Sequence, residues 1–130
     1  MKARYYASAN VFCAPSTGRE SFGLILLEAL ASGIPTVASA IPGYAAVIRH
    51  GIDGLLVEPK NADALALGIV RLLADADLRA RVRANALERA QQFTWQEVAR
   101  QVLDIFERTR VAEHEQRSQA PWPAELAGWR

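Results

Sequence analysis

Residues 11–39 read VFCAPSTGRESFGLILLEALASGIPTVAS, and this stretch decides the fold. Val11-Phe12-Cys13-Ala14 is a short apolar run stopped by Pro15. It lacks polar alternation, so it suits a strand covered on both faces in a parallel sheet. A loop follows, Ser16-Thr17-Gly18-Arg19-Glu20. Ser21 is placed to cap a helix that starts near Phe22 or Gly23, since its hydroxyl can accept from a first-turn amide. That helix ends at Gly33, and Pro35 prevents its continuation. Thr36-Val37-Ala38-Ser39 is a second short apolar strand.

The same alternation extends outward. Residues 2–9 read as the end of a helix with Tyr5, Tyr6 and Ala9 on one side, and Asn10 closes it. Ile41-Pro42-Gly43 turns the chain into a short helix ending near His50-Gly51. Gly54-Leu55-Leu56-Val57 is a third strand, closed by Pro59. Beyond residue 60 the pattern becomes helical. Leu65, Ile69, Leu72 and Leu73 recur at helical spacing behind the cap residue Asn61, and Leu78, Val82 and Ala86 mark a second helix. Thr94-Trp95-Gln96-Glu97 reads as a capping box, with Phe93 and Val98 as its hydrophobic staple. It opens a last helix whose apolar stripe is Trp95, Val98, Ala99, Val102, Ile105 and Phe106. From Val111 the chain turns polar, and Pro121 and Pro123 argue against a helix around Trp122. No pattern explains Trp122 or Trp129.

Strands alternating with helices predict an α/β fold: a partial Rossmann-like parallel sheet of short strands, helices on both faces, then C-terminal helices. Three strands are few for a doubly wound domain, and the chain opens in mid-unit. The expectation is therefore a domain over residues 1–110, incomplete at its N-terminus, and a polar tail over residues 111–130.

With 130 residues, 51% of them apolar, there is enough for one buried core. Fifteen basic and 14 acidic side chains leave a net charge of +1 with no basic block, which argues against nucleic acid as a partner. The lone cysteine, Cys13, excludes an intramolecular disulfide and fits a reducing compartment, so a cytoplasmic location is expected. No apolar run approaches the roughly 20 residues that span a bilayer. The opening MKARYYASAN lacks the apolar core of a signal peptide.

The helix over residues 22–32 is apolar nearly all round. Its one polar line is Ser21, Glu28 and Ser32, with Ile25 between, and Glu28 is the only charge in its body. A helix start after a strand presents free amides to an anion, and Gly23 there removes a side chain where a ligand would approach. A phosphate would be held by amides and dipole. Carboxylates nearby suit sugar hydroxyls, because each can accept two hydrogen bonds. Glu20 and Glu28 could thus grip two hydroxyl pairs of one elongated ligand. Plainer readings stand beside this one. Glu28 could sit on the solvent line, Glu20 could favour the helix dipole, Gly23 could be a packing glycine, and Arg19 a solvated loop residue.

The segment from Phe12 to Ser39, with Glu20 and Glu28 in an E-x7-E spacing, resembles the family-four retaining glycosyltransferases. Ile41-Pro42-Gly43 and Gly51-Ile52-Asp53-Gly54-Leu55-Leu56-Val57 also look like that family, and the likeness runs from about Ala3 to Arg108. The APSTGRESFG stretch is most similar to phosphatidylinositol mannosyltransferase-like members. The resemblance implies the C-terminal domain of a GT-B fold that holds a nucleoside diphosphate sugar and transfers its hexose with retention of configuration. Glu20 would contact the hexose hydroxyls as the catalytic residue. Ser21, Phe22, Gly23 and Leu24 would face the hexose and diphosphate, and Glu28 would bind the ribose. Arg19 is a candidate phosphate contact.

Such enzymes usually need no metal or other cofactor, because amides and basic side chains stabilise the leaving diphosphate. Two family features have no counterpart here: the basic pair that clamps the diphosphate, and the acceptor-binding N-terminal domain. A missing domain or companion chain is therefore an expected partner, and any peripheral membrane association would run through it. The alternative is a truncated, catalytically inactive module that binds nucleotide sugars or other proteins.

Other residues carry less. His50 and His114 have no partners at metal-ligand spacing and read as surface residues, with no metal site expected. Cys13 reads as inert core. There is no nucleophile elbow and no G-x-G-x-x-G. The last helix generates a prediction. In the family a C-terminal helix crosses to the other domain, so part of the Trp95–Phe106 stripe should be unpartnered here and drive self-association. Sedimentation should show concentration-dependent association, with binding of a hydrophobic dye. A dilution-resistant monomer that binds no dye would count against it.

Overall fold

The computed structural model describes residues 2–18 and 20–119. The chain divides into two compact units, Met1–Thr94 and Trp95–Arg130. The first holds α1 (Lys2–Ser8), β1 (Phe12–Ala14), α2 (Leu24–Ala31), β2 (Thr36–Ser39), α3 (Pro42–Ala45), β3 (Leu55–Val57), α4 (Ala62–Ala74) and α5 (Ala76–Gln91). The strands form one parallel sheet in the order β1-β2-β3. Phe12 lies opposite Thr36, and Val37 opposite Leu55.

β2 is buried along its whole length, as a central strand covered on both faces must be. On one face Ala38 joins Ala14, Leu26, Leu30, Ile41, Tyr44, Val47 and Ile48. On the other, Val37 joins Leu55 and Leu72. α5 serves both cores, giving Leu78 and Val82 to the second and Ala86 to the first. Helices thus cover both faces of an α/β parallel sheet. Cys13, expected as buried core, is half-buried because β1 is an edge strand, and burial pushes its thiol pKa up.

The expected helix caps hold at Asn61, whose side chain accepts from the Ala64 amide at 2.9 Å. Asp75 caps α5 in the same way, accepting from the Leu78 amide at 2.8 Å. Ser21 does not cap α2. The N-cap is Gly23, in the left-handed conformation at φ 76°, and α2 starts at Leu24. The residue that reaches forward to the cap is Glu20, whose carboxylate accepts from the Gly23 amide at 3.1 Å. The left-handed step moves the helix start past Ser21, which is left exposed in the loop. α3 is also shorter than expected. After Ala45 the chain turns around the fully buried carboxylate of Asp53, which accepts from the Arg49 amide and from Arg49 Nε, each at 2.6 Å. His50 and Gly54 then make an isolated parallel bridge, so β3 begins at Leu55.

The second unit is described from α6 (Trp95–Gln119), which stays helical through the polar stretch after Val111. Along it Trp95, Val102, Ile105 and Phe106 are exposed. Pro121, Trp122, Pro123 and Trp129 lie outside the described residues. No described helix is long and apolar enough to cross a membrane.

The β1–α2 loop is fixed by α3 beneath it. A Cβ on Gly43 would run into the carbonyl oxygen of Glu20 and lie 3.1 Å from the Ser21 carbonyl carbon. A Cβ on Gly23 would lie 2.8 Å from the ring of Tyr44, itself buried. The helix start therefore rests on a tyrosine ring, and the loop before it rests on bare backbone. Backbone cannot rotate away as a side chain can, so Gly43→Ala should force the loop to move. The expected cost is about 1–3 kcal/mol, read as a lower urea midpoint, with amide shift changes in the 20–24 segment larger than in α5.

Candidate functional site

All three strands end at one edge of the sheet, where ligands of open α/β sheets collect beyond the strands' carboxyl ends. The loop from Pro15 to Gly23 leaves β1 at this edge and leads into α2. Its Glu20 is half-buried and bonded to Gly23, while Phe22 and Leu24 are exposed. Phe22 is held edge-on against Phe93, with ring centroids 6.0 Å apart. The Arg89 guanidinium lies 4.7 Å from the centre of the Phe93 ring and donates to the carbonyls of Val47 and Ala46 at 3.1 and 3.0 Å. One arginine thus ties α5 to the end of α3 and steadies the aromatic pair beside the loop.

The amides of Leu24 and Ile25 begin the helix and have no preceding turn to bond to. The residues expected to face a donor, Glu20, Ser21, Phe22, Gly23 and Leu24, therefore form one continuous turn at the N-terminus of an eight-residue helix. Arg19 lies outside the described residues. Gly23 is explained by its conformation and by the Tyr44 ring, so the packing reading accounts for it fully. Glu20 likewise has a local task at the helix start. The Tyr44 hydroxyl has its pKa raised by burial and by the charge of Glu20, with a hydrogen bond to Ser16 opposing.

Glu28 is further along α2. Five residues from Gly23 correspond to about 7.5 Å of helical rise, so Glu28 lies well along the helix from the cap that Glu20 bonds. Glu28 is neither buried nor on an open solvent line. Lys2 Nζ donates to its Oε1 at 2.6 Å, and the Tyr6 hydroxyl donates to its Oε2 at 3.1 Å. The Lys2 hydrogen bond holds the Glu28 carboxyl below the usual carboxylate range; the Tyr6 bond adds to this, and burial opposes it. The Tyr6 hydroxyl is shifted up, by burial first and by Glu28 second.

Sequence reasoning missed these two partners, having read residues 2–9 only as a helix face. The available signal is their i, i+4 spacing, which puts both side chains on one side of α1. It also missed a cleft of about 240 Å³ at the same sheet edge, lined by Thr17, Ser39, Glu58, Lys60 and Asn61 among others. Lys60 carries a left-handed backbone at φ 62°, uncommon for a residue with a side chain. Its signal was the Glu58-Pro59-Lys60-Asn61 turn between a strand and a helix. His50 is exposed, as expected, and its Nδ1 accepts from the Leu56 amide at 3.0 Å. Among the described residues no three His, Cys, Asp or Glu side chains come together to hold a metal ion.

Residues 2–89 match the family described as glycosyl transferases group 1. The phosphatidyl-myo-inositol mannosyltransferase of Mycolicibacterium smegmatis is 40% identical over 106 residues, covering 82% of this chain and 28% of that protein. HepE of Anabaena, solved in complex with UDP, superposes with a TM-score of 0.75 at 28% identity, over 80% of this chain and 29% of its own. The C-terminal domain of a glycosyl transferase group 1 protein of Francisella tularensis superposes with a TM-score of 0.62 at 28% identity, over 68% of this chain and 45% of its own. This chain thus spans little more than a quarter of the curated relative. Its structural neighbours are GT-B glycosyltransferases. Sheet, helices and sequence agree from α1 into α5, and the chain belongs to the glycosyl transferases group 1 family.

Proposed function

We propose that this chain is the donor-binding part of a retaining hexosyltransferase that uses a nucleoside diphosphate sugar. The observation that carries the reading is the pair of carboxylates that α2 and the loop before it present at different depths: Glu20 bonded to the amide of the cap residue Gly23, and Glu28 further along the helix. Family membership and the UDP complex of HepE support the same reading. In it, the diphosphate lies against the amides of Leu24 and Ile25 and the positive end of the helix dipole. The hexose lies toward Glu20, and the ribose toward Glu28.

A carboxylate offers about four acceptor sites, and the Gly23 amide takes one of those on Glu20. The remaining sites suit two neighbouring hexose hydroxyls and would fix the anomeric carbon for attack. The anomeric C–O bond to the diphosphate breaks, the acceptor oxygen bonds to the same face, and the acceptor's proton leaves with the diphosphate. Charge builds on the departing oxygen, where the helix amides act as preorganised donors. The reading calls for no metal or other cofactor. Acceptor contacts, and further basic groups on the diphosphate, would come from an N-terminal domain or companion chain.

The two glutamates should fail differently in the complete enzyme. Glu20→Gln keeps a carbonyl oxygen for the Gly23 amide yet loses the charge that grips the hexose. It should lower kcat by about a hundredfold if positioning dominates, with an unchanged melting temperature. Glu28→Ala should mainly raise KM for the donor. Steady-state kinetics with varied donor check both. A Glu20 variant affecting only KM, beside a Glu28 variant that abolishes turnover, would reverse the roles; no effect from either would mean the site is elsewhere.

A further inference from the structure

Glu28 is not a free carboxylate waiting for a ligand. Its two partners come from α1, and they differ in how firmly they are held. Lys2 is 70% exposed in its side chain, so its ion pair is a surface pair of small net value. Tyr6 is half-buried, and its ring packs on Phe12 of β1 with centroids 5.4 Å apart and planes at 56°. The Tyr6 hydroxyl is therefore anchored through its ring to an edge strand of the sheet, whereas the Lys2 ammonium swings on a flexible stem.

The two donors also take different oxygens. Tyr6 bonds Oε2, and Lys2 bonds Oε1. A carboxylate on a helix has rotational freedom about its terminal bonds. A fixed donor on one oxygen removes much of that freedom and leaves the other oxygen facing a defined direction. The Glu28 side chain remains 38% exposed, so a diol can reach it.

We infer that Tyr6 is a positioning residue for ribose recognition, orienting Glu28 through Oε2, and that Lys2 is the cation displaced from Oε1 when a ribose 2′,3′-diol arrives. This rests on the ribose role proposed for Glu28. Tyr6 touches no substrate; it acts through the carboxylate. Lys2 keeps the carboxylate satisfied while the site is empty, and its release toward solvent leaves an ammonium close to the incoming nucleotide.

The test uses the full chain in NMR titrations with UDP, GDP and their 2′-deoxy counterparts, together with the carboxyl ¹³C titration of Glu28. Tyr6→Phe keeps the ring on Phe12 and removes only the hydroxyl, so folding should be preserved. It should weaken the ribonucleotide that binds by about fivefold, the worth of one ordinary intramolecular hydrogen bond, and should reduce discrimination against the deoxy form. It should also move the Glu28 carboxyl titration upward in the ligand-free chain. Tyr6→Phe combined with Glu28→Gln should bind no more weakly than Glu28→Gln alone, because the hydroxyl then has no carboxylate to orient. Lys2→Met should leave ribonucleotide affinity equal or tighter. If Glu28→Gln loses affinity while Tyr6→Phe binds as the unmodified chain does, the inference falls and the ribose reading stands. If Glu28→Gln changes nothing, or neither nucleotide gives a saturable shift, both fall. A several-fold loss on Lys2→Met would overturn the displacement and make Lys2 a direct ligand contact.

Discussion

β2 has no solvent side. Its four residues are buried, so everything around it must cover a face without wasting space. On one face, Gly68 lets α4 come so close that a Cβ there would lie 2.9 Å from Val37 Cγ1. On the other, α2 and α3 close over Ala38, a small residue that admits the Leu30 and Ile48 side chains. A strand this short makes few ladder bonds, so its hold on the fold comes from apolar surface removed from water on both sides. Because all the strands are parallel, this constraint also sends the three strand-to-helix loops to one edge. The candidate site is the consequence of covering β2, built from loops the core does not use.

The loop before α2 is shaped from below. Gly43 brings α3 against the Glu20–Ser21 backbone, and Tyr44 supports Gly23. Gly43 and Tyr44 lie beneath the loop, and together they set where the helix amides begin and where Glu20 points. Arg89 extends the support, linking α5, the carbonyls of Ala46 and Val47, and the Phe93–Phe22 pair. A turn held on several sides by packed groups would need little reorganisation to receive a ligand.

The electrostatics divide in the same way. Asp53 is wholly buried and satisfied by Arg49, and it serves the turn before β3. Glu28 is partly exposed, and its partners lie on a short helix with nothing fully buried. Loss of the carboxylate charge at Asp53 would leave the Arg49 amide and guanidinium without their buried partner, whereas the Glu28 side chain stays open to solvent.

The sequence by itself determined the element order, the parallel α/β class, the Asn61 cap, and the inward positions Leu78, Val82 and Ala86. These follow from periodicity, capping chemistry and proline stops, all carried by residues near one another in the chain. It also gave the family, through the spacing of Glu20 and Glu28 and the strand segments around them. The cap of α2 was legible only in part, since Ser21 and Glu20 both lie before the helix and a left-handed Gly23 selects between them. Only the tertiary structure decided that Tyr44 and Gly43 support the loop, that Tyr6 and Lys2 hold Glu28, and that Cys13 sits on a half-open edge. Each of these depends on which elements meet across the sheet. Local pattern fixes the direction in which a side chain leaves its own helix or strand, but its partner is set by packing between segments 20 or more residues apart, as Tyr6 and Glu28 are, separated by 22 positions.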